Sequence, residues 1–565
     1  HWMVHSFPTR RSSDLGSLRL ASFGALDIYR GTTPVALGTG GPGGAISLRT
    51  RRIQRPFQEI ALSGGSFGAA RLLSLTGVRM GTVDALCIVS AERANGDFIF
   101  LNRNGTLSNP RDDRFEPRRN NAFQSGGALV KLAWRTGPWQ WTAMNDLMVQ
   151  HRGLPGLSGI PTRTASLRTL RDTAALQGDV PVGRRGELSA GLSWLGLRED
   201  LSDLFNEIGL GHQRVVAGTD ALDASMAPRV HWSDVHDSLL RISARAETYT
   251  SRELVQGVTG GPVRRLIGRA ALAHEWRPAA PFLLVPAIRL EAHGTKEDGD
   301  THSSSNLFWS PSLGARFEPA TGVFLRMNGA RSVRPPDLCE LYGDRGTTVG
   351  NPRLKAETAW TADAGVTLER QAGSVVTDLR FDSALFASTV NRLIAWVQNS
   401  QNTVRPENID EARIAGVETS LQLTVARHLR ISGNHTWLLT RNRSRRPWLD
   451  GRQLPGRPAH EGSGRIAFLA TRDPLDLAAW FTGDFAAATW LDQANYRREE
   501  ARILLGTGGR VSHSESGLSL TLEVRNLLNR TAVRDGDGRL QPLEDFVGFP
   551  LPGRTVFVTL DWATP

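Results

Sequence analysis

The chain is poor in the residues that most often announce chemistry. Its two cysteines, Cys87 and Cys339, lie far apart and lack the CxxC spacing that metal and redox sites use. Each reads as a small strand or loop residue, and whether they pair is not legible from sequence. No stretch approaches the ~20 consecutive apolar residues of a membrane helix, which excludes a helical membrane protein. It does not exclude a transmembrane barrel, whose strands alternate apolar and polar side chains and so average to an ordinary hydropathy. No GxSxG, HExxH or GK[ST]-ended phosphate loop occurs, so hydrolase, metalloprotease and nucleotide-binding readings lack their motifs. The expectation is a protein that is not an enzyme and has no cofactor. The N-terminus also lacks the basic segment, apolar run and small-residue cleavage site of a secretory signal. Residues 1–15 (HWMVHSFPTRRSSDL) show neither helical nor strand periodicity. They read as foreign sequence, similar to translated adapter read-through in assembled environmental DNA. The natural N-terminus, signal peptide included, would then have been lost.

What is abundant is arginine, the main source of a formal net charge of +11. Such a balance suits nucleic acid, anionic lipid or a pore that attracts anionic ligands. The arginines are scattered, and no helix-turn-helix, zinc-knuckle or RNA-binding aromatic signature accompanies them. No nucleic-acid partner is therefore expected, and many arginines are expected to line a lumen.

From about Phe57 the chain repeats one unit, roughly ten to thirteen residues of period-two alternation followed by a connection. One class of connection is tight, as in Arg135-Thr136-Gly137-Pro138, Val182-Gly183-Arg184-Arg185, Glu318-Pro319-Ala320-Thr321-Gly322 and Thr471-Arg472-Asp473-Pro474. The other is long and polar, at 94–121, 198–233, 332–357, 441–458 and 530–550. Short turns at one rim and long loops at the other predict an outer-membrane barrel, with turns in the periplasm and loops outside the cell. Counting units to Trp562 gives about 22 strands, the size of the plugged transporters; the least regular pair lies between Asp237 and Gly268. In the last strand Val556, Val558, Leu560 and Trp562 point one way and Thr555, Thr559 and Asp561 the other, with Phe557 the exception. Sandwiches, propellers and solenoids also alternate, but no propeller-like recurrence every ~40 to 50 residues is present.

The segment ALDIYRGTTPVALGTGGPGGAISLRTRR, from Ala25 to Arg52, resembles the end of the plug domain of TonB-dependent receptors. Arg30 and Gly31 sit in its Arg-Gly-Pro-like turn. Gly38, Gly40, Gly41, Gly43 and Gly44 permit the positive φ and close backbone approach that a compact globule inside a barrel needs. Mid-chain, Ser332-Val333-Arg334-Pro335-Pro336-Asp337-Leu338-Cys339-Glu340-Leu341-Tyr342-Gly343 and Gly350-Asn351-Pro352-Arg353-Leu354-Lys355-Ala356-Glu357-Thr358 resemble the family's R-x-P…E-L-Y…G-N-P-x-L-x-x-E loop signature. The haem-importing relatives place a histidine between these boxes; none lies between Arg334 and Asn351, which argues against haem. Further fits are Asn391-Arg392-Leu393-Ile394 with Asn408 and Gly416-Val417-Glu418, GRQLPGRP at 451–458, Val524-Arg525-Asn526-Leu527-Leu528-Asn529, and Phe549-Pro550-Leu551-Pro552-Gly553-Arg554.

The resemblance implies an all-β fold, a transmembrane antiparallel barrel of about 22 strands over residues 57–565, with residues 16–56 a C-terminal remnant of the plug. It implies active uptake of a scarce nutrient through the outer membrane, with a ferric siderophore first and cobalamin, another metal chelate, haem or a saccharide as other ligands. A passive porin-like channel or a surface-binding barrel is the rival. Energy would come from the TonB–ExbB–ExbD complex through the missing N-terminal part. Outer-membrane lipid and lipopolysaccharide would surround a monomer. Arg334, Tyr342, Asn351, Arg441 and Arg443 are the candidate ligand contacts, Arg445 and Arg446 crowding the same loop as the last two, which suits an anionic chelate. A solvated, lipopolysaccharide-facing charge run is the other reading of those arginines. His231 and His236 could ligate a metal, or serve as plain loop residues. Trp232, Trp309, Trp396 and Trp490 fit an interfacial girdle, although four tyrosines are few for one.

Overall fold

The computed structural model describes residues 23–29, 33–38, 41, 43–106, 109–208, 211–257, 260–298, 303–343, 349–371, 373, 375–398, 404–546 and 548–564. Strands from Phe57–Gly65 to Thr555–Ala563 form one closed antiparallel barrel of 22 strands. Each strand pairs with the next barrel strand in sequence, and Phe57–Gly65 closes the ring on Thr555–Ala563, from Glu59 opposite Ala563 to Gly65 opposite Phe557. Closure follows from the environment that the alternation implies, because an open sheet edge leaves backbone donors and acceptors unpaired where no water can reach them.

The connections sort by rim as expected. At one end they are tight, two residues each at 81–82, 137–138, 234–235 and 321–322. At the other they are long, at 95–122, 335–356, 443–459 and 526–554. One expected loop is absent. Residues 198–233 are mostly strand, the ends of Gly186–Asp203 and the whole of Gln213–Ser233, joined only by 204–212. Their composition is polar because these strands run well past the ~9–11 residues that span a bilayer, and the excess needs no apolar face.

Alternation decides the two faces. Val556, Val558 and Leu560 are exposed on the outer face, beside Leu518, Leu520 and Leu522 of Leu518–Arg525 and Leu62 of Phe57–Gly65. Such stripes are unfavourable in water and neutral against hydrocarbon. Phe557 follows the alternation in direction and departs from it in character, an apolar ring on the inner face with the Arg525 guanidinium 5.4 Å from it. Inside, charged residues are paired: Arg171 with Asp146 at 3.2 Å, Arg269 with Glu291 at 3.0 Å, and Arg326 with Asp382. One inner sector is apolar, where Ile53 caps Leu73, Leu75, Leu86, Ile88 and Leu129. Cys87 is exposed on the outer side and Cys339 lies in a loop helix, and no disulfide joins them.

A two-stranded hairpin, Phe23–Tyr29 with Ala45–Thr50, stands apart from the barrel sheet. Between its strands the chain makes a short 3-10 turn, Val35–Leu37.

Candidate functional site

The site is built where the loop 335–356 leaves the strand Val323–Arg334. Pro335 and Pro336 cannot continue the sheet ladder, and Asp337 starts a helix, Leu338–Tyr342, as its N-cap. The cap is reciprocal: the Asp337 side chain accepts from the Glu340 backbone N–H, and the Glu340 carboxylate accepts from the Asp337 N–H at 2.8 Å, which satisfies donors a helix start would otherwise leave open. Gly343 ends the helix at φ 71° and donates to Cys339 O at 2.8 Å.

The helix does not stand out from the rim. It lies against the inner wall, where Leu338, Leu341 and Tyr342 pack on Ala217, Tyr249 and Val263. Tyr249 Oη donates to Gly343 O at 2.6 Å, and Arg265 Nη1 donates to Pro336 O at 2.9 Å. The loop is therefore folded into the barrel mouth by donors from strands on the far side of the sheet sector. Two of the four tyrosines meet here, and that scarcity was the one signal in the sequence that could have singled out Tyr249.

Arg334, Tyr342 and Asn351 do come together, as parts of the loop's own framework. Arg334 Nε donates to Glu357 Oε2 at 2.7 Å, and Arg334 Nη1 donates to Glu340 Oε2 at 3.1 Å. Both carboxylates are almost fully buried, and Glu357 Oε1 also accepts from the Ile394 N–H at 2.5 Å. Asn351 donates to Pro406 O at 2.9 Å and receives Arg353 N–H on its own oxygen at 3.2 Å. Asn408 grips the descending chain twice, accepting from Lys355 N–H at 2.9 Å and donating to Lys355 O at 3.0 Å.

Arg441 lies apart from this group. It sits at the loop end of Leu429–Asn442, exposed on the same outward face as Trp437 and Leu439 and opposite Arg413 in register. Arg443, in the next loop, approaches Asp450 at 3.5 Å, and Arg445 N–H donates to Asp410 at 2.9 Å. His231 and His236 are separated as well. They flank the tight turn 234–235 at the short-turn rim, His231 against Asp237 at 2.5 Å and His236 against His274 at 3.0 Å. Trp232 and Trp309 are exposed outward, whereas Trp490 lies in a loop hairpin and Trp396 is half-buried.

Below the loop, the wall holds the glycine-rich segment. Arg241 Nη1 donates to Ala36 O at 3.3 Å, Arg289 Nη2 to Thr33 O, and Lys131 Nζ to Thr50 Oγ1 at 2.8 Å. At Gly38, φ is 83° and an added Cβ would stand 3.1 Å from Arg241 Nε, so a side chain there would strain the turn and push off its anchor. Gly44 donates to Gly41 O at 3.1 Å in the turn before the second hairpin strand, and Gly43 lies between them. Arg30, Gly31 and Gly40 lie outside the described residues. A cleft of about 520 Å³ opens at the opposite, short-turn end, lined by Arg49, Arg51, Arg52, Arg55, Phe57 and Glu59 among others; it is far from the loop framework and shares none of its residues.

A family model for the TonB dependent receptor-like β-barrel matches residues 90–527. The ferric enterobactin receptor of Pseudomonas aeruginosa is 24% identical over 319 residues, 49% of this chain and 40% of that receptor's length. Among solved structures, the copper transporter OprC superposes with a TM-score of 0.78 at 13% identity, covering 97% of this chain and 86% of that one. The siderophore receptor PiuA from Acinetobacter baumannii gives 0.72 at 12%, covering 95% and 86%. At such identities the superpositions speak for the fold, and the family match covers more than half of the chain. With its closed 22-strand wall and apolar outer belt, this chain belongs to the TonB-dependent receptors, a family of outer-membrane receptor barrels and not of enzymes.

Proposed function

We propose that the full-length form of this protein imports a scarce nutrient across the outer membrane, a ferric siderophore in the first instance, with energy from the TonB–ExbB–ExbD complex. The observation that carries this reading is the lumen wall, which binds the chain on either side of the glycine-rich run, Thr33 and Ala36 through Arg289 and Arg241 and Thr50 through Lys131. A passive pore has no use for a wall that holds a gate. In this reading residues 16–56 are the last part of a plug and 57–565 the barrel of a monomer, set in outer-membrane lipid and lipopolysaccharide. Ligand would enter between the loop 335–356 and its neighbours; Arg334, Tyr342 and Asn351 shape that entrance, and Arg441 and Arg443 sit on its outer flank. The named siderophore receptors supply the ligand class, and an arginine-rich mouth suits anionic ferric chelates.

The test is growth rescue of an iron-starved strain lacking its own receptors by the full-length form, with and without the TonB complex. Rescue that requires both the chelate and TonB supports the proposal. Rescue without TonB points to passive passage. No rescue by any ferric chelate, but rescue by haem, or TonB-dependent growth when cobalamin, another metal chelate or a saccharide is made the limiting nutrient instead, keeps the importer and replaces its ligand.

A further inference from the structure

His236 was a candidate metal ligand with His231 as its neighbour in sequence, but the fold gives it a different partner. His231 and Asp237 face the lumen side, while His236, Ser238, His274 and Trp276 share the outer face with Leu240 and Leu272. His236 Nδ1 and His274 Nε2 are 3.0 Å apart, and the rings are stacked at 5.2 Å with His236 parallel to Trp276 beyond. The geometry points to a two-imidazole site for a divalent cation, Cu²⁺ or Ni²⁺, on the outer surface at the short-turn rim.

The spacing lets both nitrogens close on one ion as a cis pair. With metal–nitrogen bonds of about 2.0–2.1 Å, two nitrogens 3.0 Å apart subtend roughly 95° at the ion, the cis angle of a square-planar or octahedral centre, whereas a tetrahedral Zn²⁺ site would need them about 3.3–3.4 Å apart. Tetragonal nitrogen and oxygen coordination suits Cu²⁺ and Ni²⁺. The remaining positions would go to water, since Asp237 and Glu275 of the same strand pair turn the other way.

The surroundings are built as well. Trp232 Nε1–H donates to Ser238 Oγ at 2.9 Å, and Ser238 Oγ lies 2.8 Å from His274 Nδ1. In the tautomer in which the serine hydroxyl donates to His274 Nδ1, His274 Nε2–H donates to His236 Nδ1. With metal, His274 shifts its proton to Nδ1 and donates to Ser238 Oγ, which has two lone pairs and can accept from both Trp232 and His274. That shift bares the His274 Nε2 lone pair beside the one on His236 Nδ1, with no net gain or loss of protons. Metal-binding histidines ordinarily donate their other ring N–H to a carboxylate, a backbone carbonyl or water, and Ser238 Oγ takes that role here. The other stacked pair, His435 and His460 at 3.2 Å, lacks such a hydroxyl among the described residues and serves as the comparison.

The experiment is Cu²⁺ titration of the purified barrel in detergent, read by electron paramagnetic resonance and by stoichiometry at pH 7.5. One equivalent with two-nitrogen coupling should vanish in His236→Ala and again in His274→Ala, and should persist in His435→Ala. Ser238→Ala should weaken that equivalent by about 10- to 100-fold. Circular dichroism shows that the variants remain barrels. Equal stoichiometry and unchanged spectra in wild type and both single histidine variants would overturn the assignment, as would loss of the signal in His435→Ala alone.

Discussion

Arg334 and Glu357 face each other in register across the first rung of the strand pair below the loop, and the 2.7 Å bond from Arg334 Nε to Glu357 Oε2 makes the two ends of the loop 335–356 a single fastening. Glu340, from the helix within the loop, takes the other side of the same guanidinium at 3.1 Å. A positive group so placed between two buried carboxylates holds the loop closed on itself; it is a shaping group for any ligand that enters.

Removing the cation should therefore cost more than removing a surface charge. Arg334→Ala leaves Glu340 and Glu357 buried and unpaired, a change on the order of 3–5 kcal/mol for such groups. The expected outcome is faster proteolysis within 335–356 and a lower unfolding temperature. Arg334→Lys should recover part of the loss, since one ammonium cannot reproduce the forked contact to two carboxylates. A variant with wild-type protease resistance would show that the loop is held by other contacts.

The loops 487–501 and 526–554 should loosen as the pH rises from the acid range toward 8. Glu499 is buried against Glu544, whose N–H donates to Glu499 Oε1 at 3.1 Å. Burial is the main cause, with the neighbouring Glu544 charge adding to it, and together they push the Glu499 carboxyl up to about 8 from 4.5. A carboxyl whose pKa is higher folded than unfolded stabilises the fold fully below the unfolded value, and the contribution is lost as pH rises through the folded one. Loop protection should then decline between pH 4.5 and 8. Glu499→Gln should flatten that decline, as followed by hydrogen exchange in the two loops; an unchanged pH profile in the variant would rule out Glu499 as its source.

Much of the barrel could be read directly from the chain. Strand number, the sorting of turns and loops, and the outward Val556, Val558 and Leu560 all follow from a two-residue period constrained by lipid on one side. Where that constraint blurs, the reading fails: Gln213–Ser233 carries apolar residues on its inner face as well, among them the buried Val215, Ala217 and Ala221, so the alternation that marks a strand is lost and the segment looks like a loop. The motif around Arg334 could be located but not its partners, because nothing local says that Arg265 and Tyr249 will reach Pro336 and Gly343 from strands about 70 and 94 residues earlier. His236 and His274 are 38 residues apart, and only register brings them together.

The seam that closes the ring should be intolerant of a side chain at Gly65. An added Cβ would stand 2.4 Å from Phe557 Cδ1 and 2.7 Å from Val556 O, and Phe557 cannot swing away easily with Arg525 over its ring. Gly65→Ala is expected to destabilise by about 1–3 kcal/mol, the range for overpacking. Adding Phe557→Leu should restore part of this and not all, because the backbone contact remains. Thermal unfolding of the single and double variants separates the two contributions, and strict additivity would mean that the ring is not what the new methyl meets.

The wall arginines should control how well the lumen is closed. Arg241 and Arg289 hold the segment 33–38 by donating to Ala36 O and Thr33 O, and hydrogen bonds from a charged donor contribute about 1.5–3 kcal/mol each. Losing both should release the turn Val35–Leu37 from the wall while leaving the sheet intact, since neither side chain takes part in strand pairing. In planar bilayers the double variant Arg241→Ala/Arg289→Ala should conduct more, and open for longer, than the parent chain, with each single variant in between. If the parent already conducts as fully as the double variant, the anchored turn does not obstruct the pore, and the wall contacts serve only to seat the hairpin Phe23–Tyr29 with Ala45–Thr50.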